Sequence, residues 1–138
     1  MSRIDVEPDP SVAVFLVDPV SRSRSRLARV LAASGHQVQT FADAESVLAA
    51  LQPRQRGCVV AEIDLPVTSG LDLLARLRER DDSLPVIFLS ARADVRKVAR
   101  AMRAGAFDFF AQPVVERELV ARVDAALGGL PAPGRRDR

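Results

Sequence analysis

Gly57-Cys-Val-Val-Ala-Glu-Ile-Asp-Leu-Pro66 is an apolar run that ends in an acid, Glu62, and then turns at Pro66 and Gly70. A second apolar run, Ala13-Val-Phe-Leu-Val-Asp18, also ends in an acid, and a third, Pro85-Val-Ile-Phe-Leu-Ser90, ends in a hydroxyl. Near-continuous apolar runs, separated by segments of helical spacing, read as strands of a parallel sheet covered on both faces. Ligand sites in such sheets lie beyond the carboxyl ends of the strands. Asp18, Glu62 and Ser90 are therefore expected to share one pocket.

Outward from these runs, strands and helices alternate. Strand one is expected at Ala13–Asp18, and helix one follows Pro19, a residue suited to a helix start. Helix one places Leu27, Val30, Leu31 and Ser34 on its buried face and ends at Gly35. Strand two is the short Gln37–Phe41, and helix two spans Ala44–Leu51, with Val47, Leu48 and Leu51 inward and Pro53 as its stop. Strand three is Cys58–Ile63, and helix three spans Gly70–Arg80, with Leu71, Leu74 and Leu77 inward. Strand four is Val86–Leu89. Helix four spans Asp94–Ala104, with Val95, Val98, Ala99 and Met102 inward and Gly105 as its end. Strand five is Phe107–Phe110, and helix five spans Glu116–Leu127, carrying Leu119, Val123 and Leu127. Residues 1–12 read as a flexible head with Pro8 and Pro10, residues 13–128 as one domain, and residues 129–138 as a flexible tail.

A doubly covered parallel sheet of five strands fits a flavodoxin-like fold or a mononucleotide-binding fold. No G-x-G-x-x-G follows strand one and no G-x-x-x-x-G-K-[ST] occurs, which removes the common nucleotide readings. With 48% apolar residues the chain is no disordered segment. No apolar run approaches the roughly 20 residues of a membrane span, and no basic-then-apolar leader opens the chain, so a cytoplasmic protein is expected. Cys58, the single cysteine, sits inside a strand and reads as an inert buried thiol. The net charge is only +2 despite 20 basic residues, so bulk electrostatics gives no argument for nucleic acid. All of those basic residues are arginine except Lys97, so a lysine serves the pocket only if Lys97 reaches it.

The specific motifs are Leu65-Pro-Val-Thr-Ser-Gly-Leu-Asp-Leu-Leu74, Leu84-Pro-Val-Ile-Phe-Leu-Ser-Ala91, and the run from Asp94-Val95 through Ala101-Met-Arg-Ala-Gly-Ala-Phe-Asp-Phe-Phe110, followed by Gln112-Pro113. Together they resemble the receiver domain of bacterial response regulators, most of all the nitrogen-fixation regulator subfamily, over about Ala13 to Leu127. The resemblance implies a flavodoxin-like (βα)5 three-layer sandwich with a parallel sheet of order 2-1-3-4-5.

It also implies a chemistry. In that family two acids after strand one and a phosphoacceptor aspartate hold Mg²⁺, a cation that prefers oxygen ligands. The metal and a lysine after strand five neutralise charge during phosphoryl transfer. A hydroxyl after strand four bonds the phosphoryl group, and an aromatic residue on strand five turns inward. On this pattern Asp18 stands at the first acid, Pro19 at the second, Glu62 at the phosphoacceptor and Gln112 at the lysine. Ser90 keeps the switch hydroxyl, Phe109 the switch aromatic, and Pro113 the proline whose peptide bond is cis in the family. The chemical set has lost three members, and the resemblance therefore implies a degenerate phosphorylation site without Mg²⁺ or another cofactor.

Three readings of Glu62 stand side by side: a solvated strand-end acid, a fixed negative charge where a phosphoryl group would sit, and a weak residual site. A carboxylate supplies about one charge against nearly two for a phosphoryl group, a partial mimic at best. Asp64 alternates to the same side as Glu62 but already lies in the loop, where the family uses its backbone carbonyl. Asp18 is expected to bond backbone amides or water, and His36 to be a surface loop residue. Arg96, Arg100 and Arg103 recur at helical spacing on helix four, a solvated face or, by resemblance, part of an output and dimer surface.

The expected function is a phosphorylation-independent protein-interaction module in two-component signalling, not an enzyme. A protein partner or a second copy would bind through helix four, strand five and helix five, with no membrane or nucleic acid involved. The second reading is a competent aspartyl or glutamyl phosphoacceptor in a phosphorelay, using the degenerate site.

Overall fold

The computed structural model describes residues 12–80 and 83–128. The expected head and tail therefore lie outside the described residues, apart from Val12, which opens the first strand rather than closing a loose head. The elements run β1 (Val12–Val17), α1 (Ser21–Ala33), β2 (Val38–Phe41), α2 (Ala44–Ala50), β3 (Arg56–Glu62), α3 (Gly70–Glu79), β4 (Val86–Ser90), α4 (Val95–Arg103), β5 (Asp108–Ala111) and α5 (Glu116–Ala126). Every strand pair is parallel and the sheet order is β2-β1-β3-β4-β5, the flavodoxin-like order.

Side chains of a strand alternate between faces, so each central strand feeds two cores. Phe15, Val17, Val59, Ala61, Val86 and Phe88 pack beneath α2, α3 and α4, with Val47, Leu73, Leu74, Leu77 and Ala101. Val14, Leu16, Cys58, Val60, Ile87 and Leu89 pack against α1 and α5, with Leu27, Leu31, Leu119 and Val123. Each fully buried aliphatic side chain contributes about 1.5–3 kcal/mol of transfer free energy. Burial also pushes the Cys58 thiol up to about 12, so it stays protonated and inert.

Two glycines permit close approaches. Gly57 faces Ala13 in the β1–β3 register at φ +144°, and a Cβ there would lie 1.9 Å from the Ala13 carbonyl oxygen. Gly70 opens α3 so close to β3 and β4 that a Cβ would lie 2.8 Å from both Ile63 Cα and Phe88 Cε1. Three helices begin with side-chain caps: Asp43 accepts from the Ser46 amide, Ser69 from Asp72 and Asp94 from Lys97.

Three expectations about buried faces need correction. Ser34 is exposed and bonds the Val30 carbonyl from the last turn of α1. Leu73, left out of the expected face of α3, is fully buried, while Leu71 is only partly so. On α4, Val95 is 85% exposed and Met102 44% exposed, and Ala101 is its one buried residue. The helix is rotated from the expected orientation because a small side chain lets it settle on the sheet through Ala101. The larger apolar groups are left outside.

Candidate functional site

The sheet register brings the strand ends together. Val17 pairs with Ala61, Glu62 with Leu89, and Ser90 with Ala111, so Asp18, Glu62, Ser90 and Gln112 lie side by side at the carboxyl edge. The Gln112 amide N–H donates to the Ser90 carbonyl at 2.8 Å, and the Gln112–Pro113 peptide bond is cis.

Asp18 is buried, with 3% of its surface exposed, and both carboxylate oxygens are occupied. Oδ1 accepts the Val20 amide at 2.9 Å and Oδ2 accepts the Ser23 hydroxyl at 2.5 Å. Its carbonyl accepts from Arg24 at 2.6 Å. The expected backbone bonding is present, and Ser23 and Arg24 are partners that sequence reading did not identify. The alternation Ser21-Arg-Ser-Arg-Ser25 puts them one turn into α1, where they turn back onto the strand end.

Glu62 is half-buried, and its Oε1 accepts the side-chain amide of Gln112 at 2.8 Å. Its pKa is raised to about 7, first by desolvation and then by the neighbouring charges of Asp64 and Asp18; the amides of Asp64 and Ala91 act in the opposite direction. Near neutral pH the carboxyl is thus charged only part of the time.

Asp64 lies in the loop at the rim of the pocket and is exposed, and it does not stand alone. Lys97 Nζ lies 2.9 Å from Asp64 Oδ2 and 2.9 Å from the carbonyl of Arg92. The one lysine of the chain thus reaches the rim of the pocket from α4, not from the end of β5. Ser90 is fully buried, and its hydroxyl oxygen accepts the Arg92 amide at 3.1 Å. Phe109 is partly buried against the core beneath α4.

The loop after Glu62 is tight. The Thr68 amide donates to the Pro66 carbonyl at 2.7 Å, which places Val67 at the centre of a γ-turn with φ +66° and leaves it 97% exposed. A β-branched residue in that region is strained. The Thr68 hydroxyl bonds the Glu45 carboxylate on α2 and helps hold the turn. His36, expected to be a surface loop residue, instead makes a contact with Asp124 of α5 at 2.9 Å, with only 9% of its side chain exposed.

Arg96, Arg100 and Arg103 are exposed and, among the described residues, have no ion-pair partner. They share the outer surface of α4 with Val95 and Met102. Nearby, Arg122 bridges α5 to β5: its Nε donates to Asp108 Oδ2 at 2.6 Å and its guanidinium lies 4.6 Å from the centroid of the Phe107 ring. No described helix is long and apolar enough to cross a membrane.

Fold and pocket together define a doubly wound α/β domain with a polar site at its carboxyl edge, where α4 meets the loops. Residues 14–124 match the response regulator receiver domain, and the chain belongs to that family. It is 35% identical over 127 residues to the transcriptional regulatory protein FixJ of Azorhizobium caulinodans, covering 92% of this chain and 60% of that one. It is 40% identical over 114 residues to the transcriptional regulatory protein TdiR of Thauera aromatica, covering 83% of this chain and 50% of that one. The chain thus spans about half the length of such curated relatives. Among solved structures it superposes on FixJ-N with a TM-score of 0.79 at 29% identity, covering 86% of this chain and 95% of that one. The response regulator StyR gives a TM-score of 0.79 at 33% identity, over 85% of this chain and 59% of that one. The nitrogen-fixation-type resemblance read from the Asp94–Phe110 segment thus agrees with FixJ among the similar proteins.

Proposed function

We propose that this receiver works without aspartyl phosphorylation, as a cytoplasmic protein-interaction module in two-component signalling. The observation that carries the reading is the Glu62–Gln112 hydrogen bond. The residues standing at the family's phosphoacceptor and lysine positions bond each other; Gln112 carries no charge, and Glu62 is charged only part of the time near neutral pH.

The donor set argues against Mg²⁺ in the same way. Pro19 has no side-chain ligand, Asp18 spends both oxygens on Val20 and Ser23, and Asp64 is engaged by Lys97. Among the described residues, no three His, Cys, Asp or Glu side chains form a group that could hold a metal. These residues do not fit the ion, so the function requires no metal step. Glu62, with its raised pKa, is a weak and pH-dependent stand-in for a phosphoryl group.

Partner binding is assigned to the α4–β5–α5 face, where Arg96, Arg100 and Arg103 border Val95 and Met102. An acidic protein surface or a second copy of the chain fits that combination. It does not suit nucleic acid, because no aromatic side chains interleave the arginines. The test is incubation with acetyl phosphate or beryllofluoride, with and without Mg²⁺, followed by mass measurement. An unchanged mass and no metal affinity below millimolar are expected; a stable adduct overturns the reading.

One observation favours the second reading, a relay phosphoacceptor. Lys97 brings a cation to Asp64, which is itself exposed. An adduct that forms in the parent and vanishes in Asp64→Asn, but not in Glu62→Gln, would establish it.

A further inference from the structure

Helix α4 is the most lightly seated helix that carries a proposed binding surface. Ala101 is its only fully buried residue. Four cations and no acid lie between Val95 and Arg103; Arg96, Arg100 and Arg103 face solvent, and Lys97 turns back toward the pocket. A helical side chain leans toward the preceding turn. From the first turn of α4, Lys97 therefore reaches Arg92 and Asp64. An ammonium has three donors on a flexible stem, so it can bond a carbonyl and a carboxylate at once. Lys97 does both at 2.9 Å, and its side chain is 23% exposed.

We infer that Lys97 is a positioning residue: its bond to Asp64 straps α4 to the loop after β3 and couples the pocket directly to the binding face. The coupling does not pass through Ser90 and Phe109. It joins residues separated by 33 positions, across the gap between the β3–α3 loop and the start of α4. When the strap opens, the first turn of α4 loses its link to the β3–α3 loop and keeps the Asp94 cap, the Ala101 seat and the local bond from Lys97 to the Arg92 carbonyl. Any ligand or partner that engages Asp64 therefore competes with Lys97 and loosens the face that Arg96 and Arg100 present. The functional part of this inference rests on the proposed α4 interface; the strap itself does not.

Hydrogen exchange of the α4 amides tests the strap without a partner, so it can fail independently of the proposed function. In Lys97→Met, in Asp64→Asn and in the double variant, amides 98–104 are expected to exchange about fivefold faster, the scale of roughly 1 kcal/mol for a partly exposed ion pair. The double variant should exchange no faster than Lys97→Met alone, which also gives up the Arg92 bond, while α3 amides stay unchanged. Because Lys97 is the only lysine, an amine-reactive ester followed by peptide mapping reads its freedom in a second way. Asp64→Asn should speed acylation of Lys97, and Glu62→Gln should not. Additive effects of the two strap variants, equal acceleration in α3, or unchanged exchange and labelling would each overturn the inference.

Discussion

Helices α3 and α4 lie against the same face of the sheet and hold to it by different means. Helix α3 sinks Leu73, Leu74 and Leu77 into the core, and its first residue, Gly70, nearly touches the backbone of Ile63 just past β3. Helix α4 offers the core only Ala101, and it is otherwise tied by the Asp94 cap and the Lys97 strap. Apolar burial involves no charges for salt to screen, whereas a partly exposed ion pair weakens as ionic strength rises. One helix is thus built as scaffold. Its neighbour, by the inference above, is held by contacts that depend on the charges around the pocket.

The largest effect separating the two should come from their buried residues. Leu77→Ala in α3 is expected to lower stability by about 2–5 kcal/mol through lost transfer energy and a cavity. Ala101→Gly in α4 should cost only about 1 kcal/mol, from helix propensity. Urea denaturation of both variants checks the contrast, and equal losses would erase it. Next in size is Gly70→Ala. Its Cβ would meet Ile63 and Phe88 at 2.8 Å, and a cost of about 1–3 kcal/mol is expected from overpacking.

A smaller effect should appear as a pH dependence at the pocket between the helices. The folded protein holds the Glu62 proton up to about pH 7, whereas a free glutamate side chain gives it up near pH 4.5. Its contribution to stability is therefore fully present below about pH 4.5 and is lost as pH rises through about 7. Allowing for solvent screening of a half-exposed carboxyl, the parent should lose about 1 kcal/mol relative to Glu62→Gln between pH 5 and 8. Denaturation midpoints of the two proteins across that range check it, and parallel curves would remove Glu62 as the titrating group. The smallest effect should be on stability in Val95→Ser and Met102→Ser, within about 0.5 kcal/mol because both side chains already face water. Their partner affinity or self-association should fall nonetheless, as should that of Arg100→Glu, measured by calorimetry or ultracentrifugation.

The same contrast explains what the sequence disclosed. Strands β1, β3 and β4 announce themselves as apolar runs, and their polar ends, Asp18, Glu62 and Ser90, follow from chain position alone. Helix α3 is legible as a helix and in Leu74 and Leu77, although four closely spaced leucines blur its face and hide the burial of Leu73. Helix α4 misleads, because Val95 and Met102 carry the apolar signal while the seat is an alanine, whose small side chain gives almost none. The strand order came from the family resemblance, since periodicity within a strand says nothing about its neighbours. Lys97–Asp64, Thr68–Glu45 and His36–Asp124 were not legible, because each joins residues far apart in the chain through polar contacts that leave no local pattern.

The buried Cys58 has a practical consequence. Its thiol lies inside β3 between two packed layers and stays protonated up to about pH 12. Thiol reagents therefore find nothing to modify in the folded domain. An Arg100→Cys substitution would introduce the one surface thiol on a ready-made blank background. A fluorophore or spin label attached there would report the position of α4 alone, and the domain could be studied without first replacing a native cysteine.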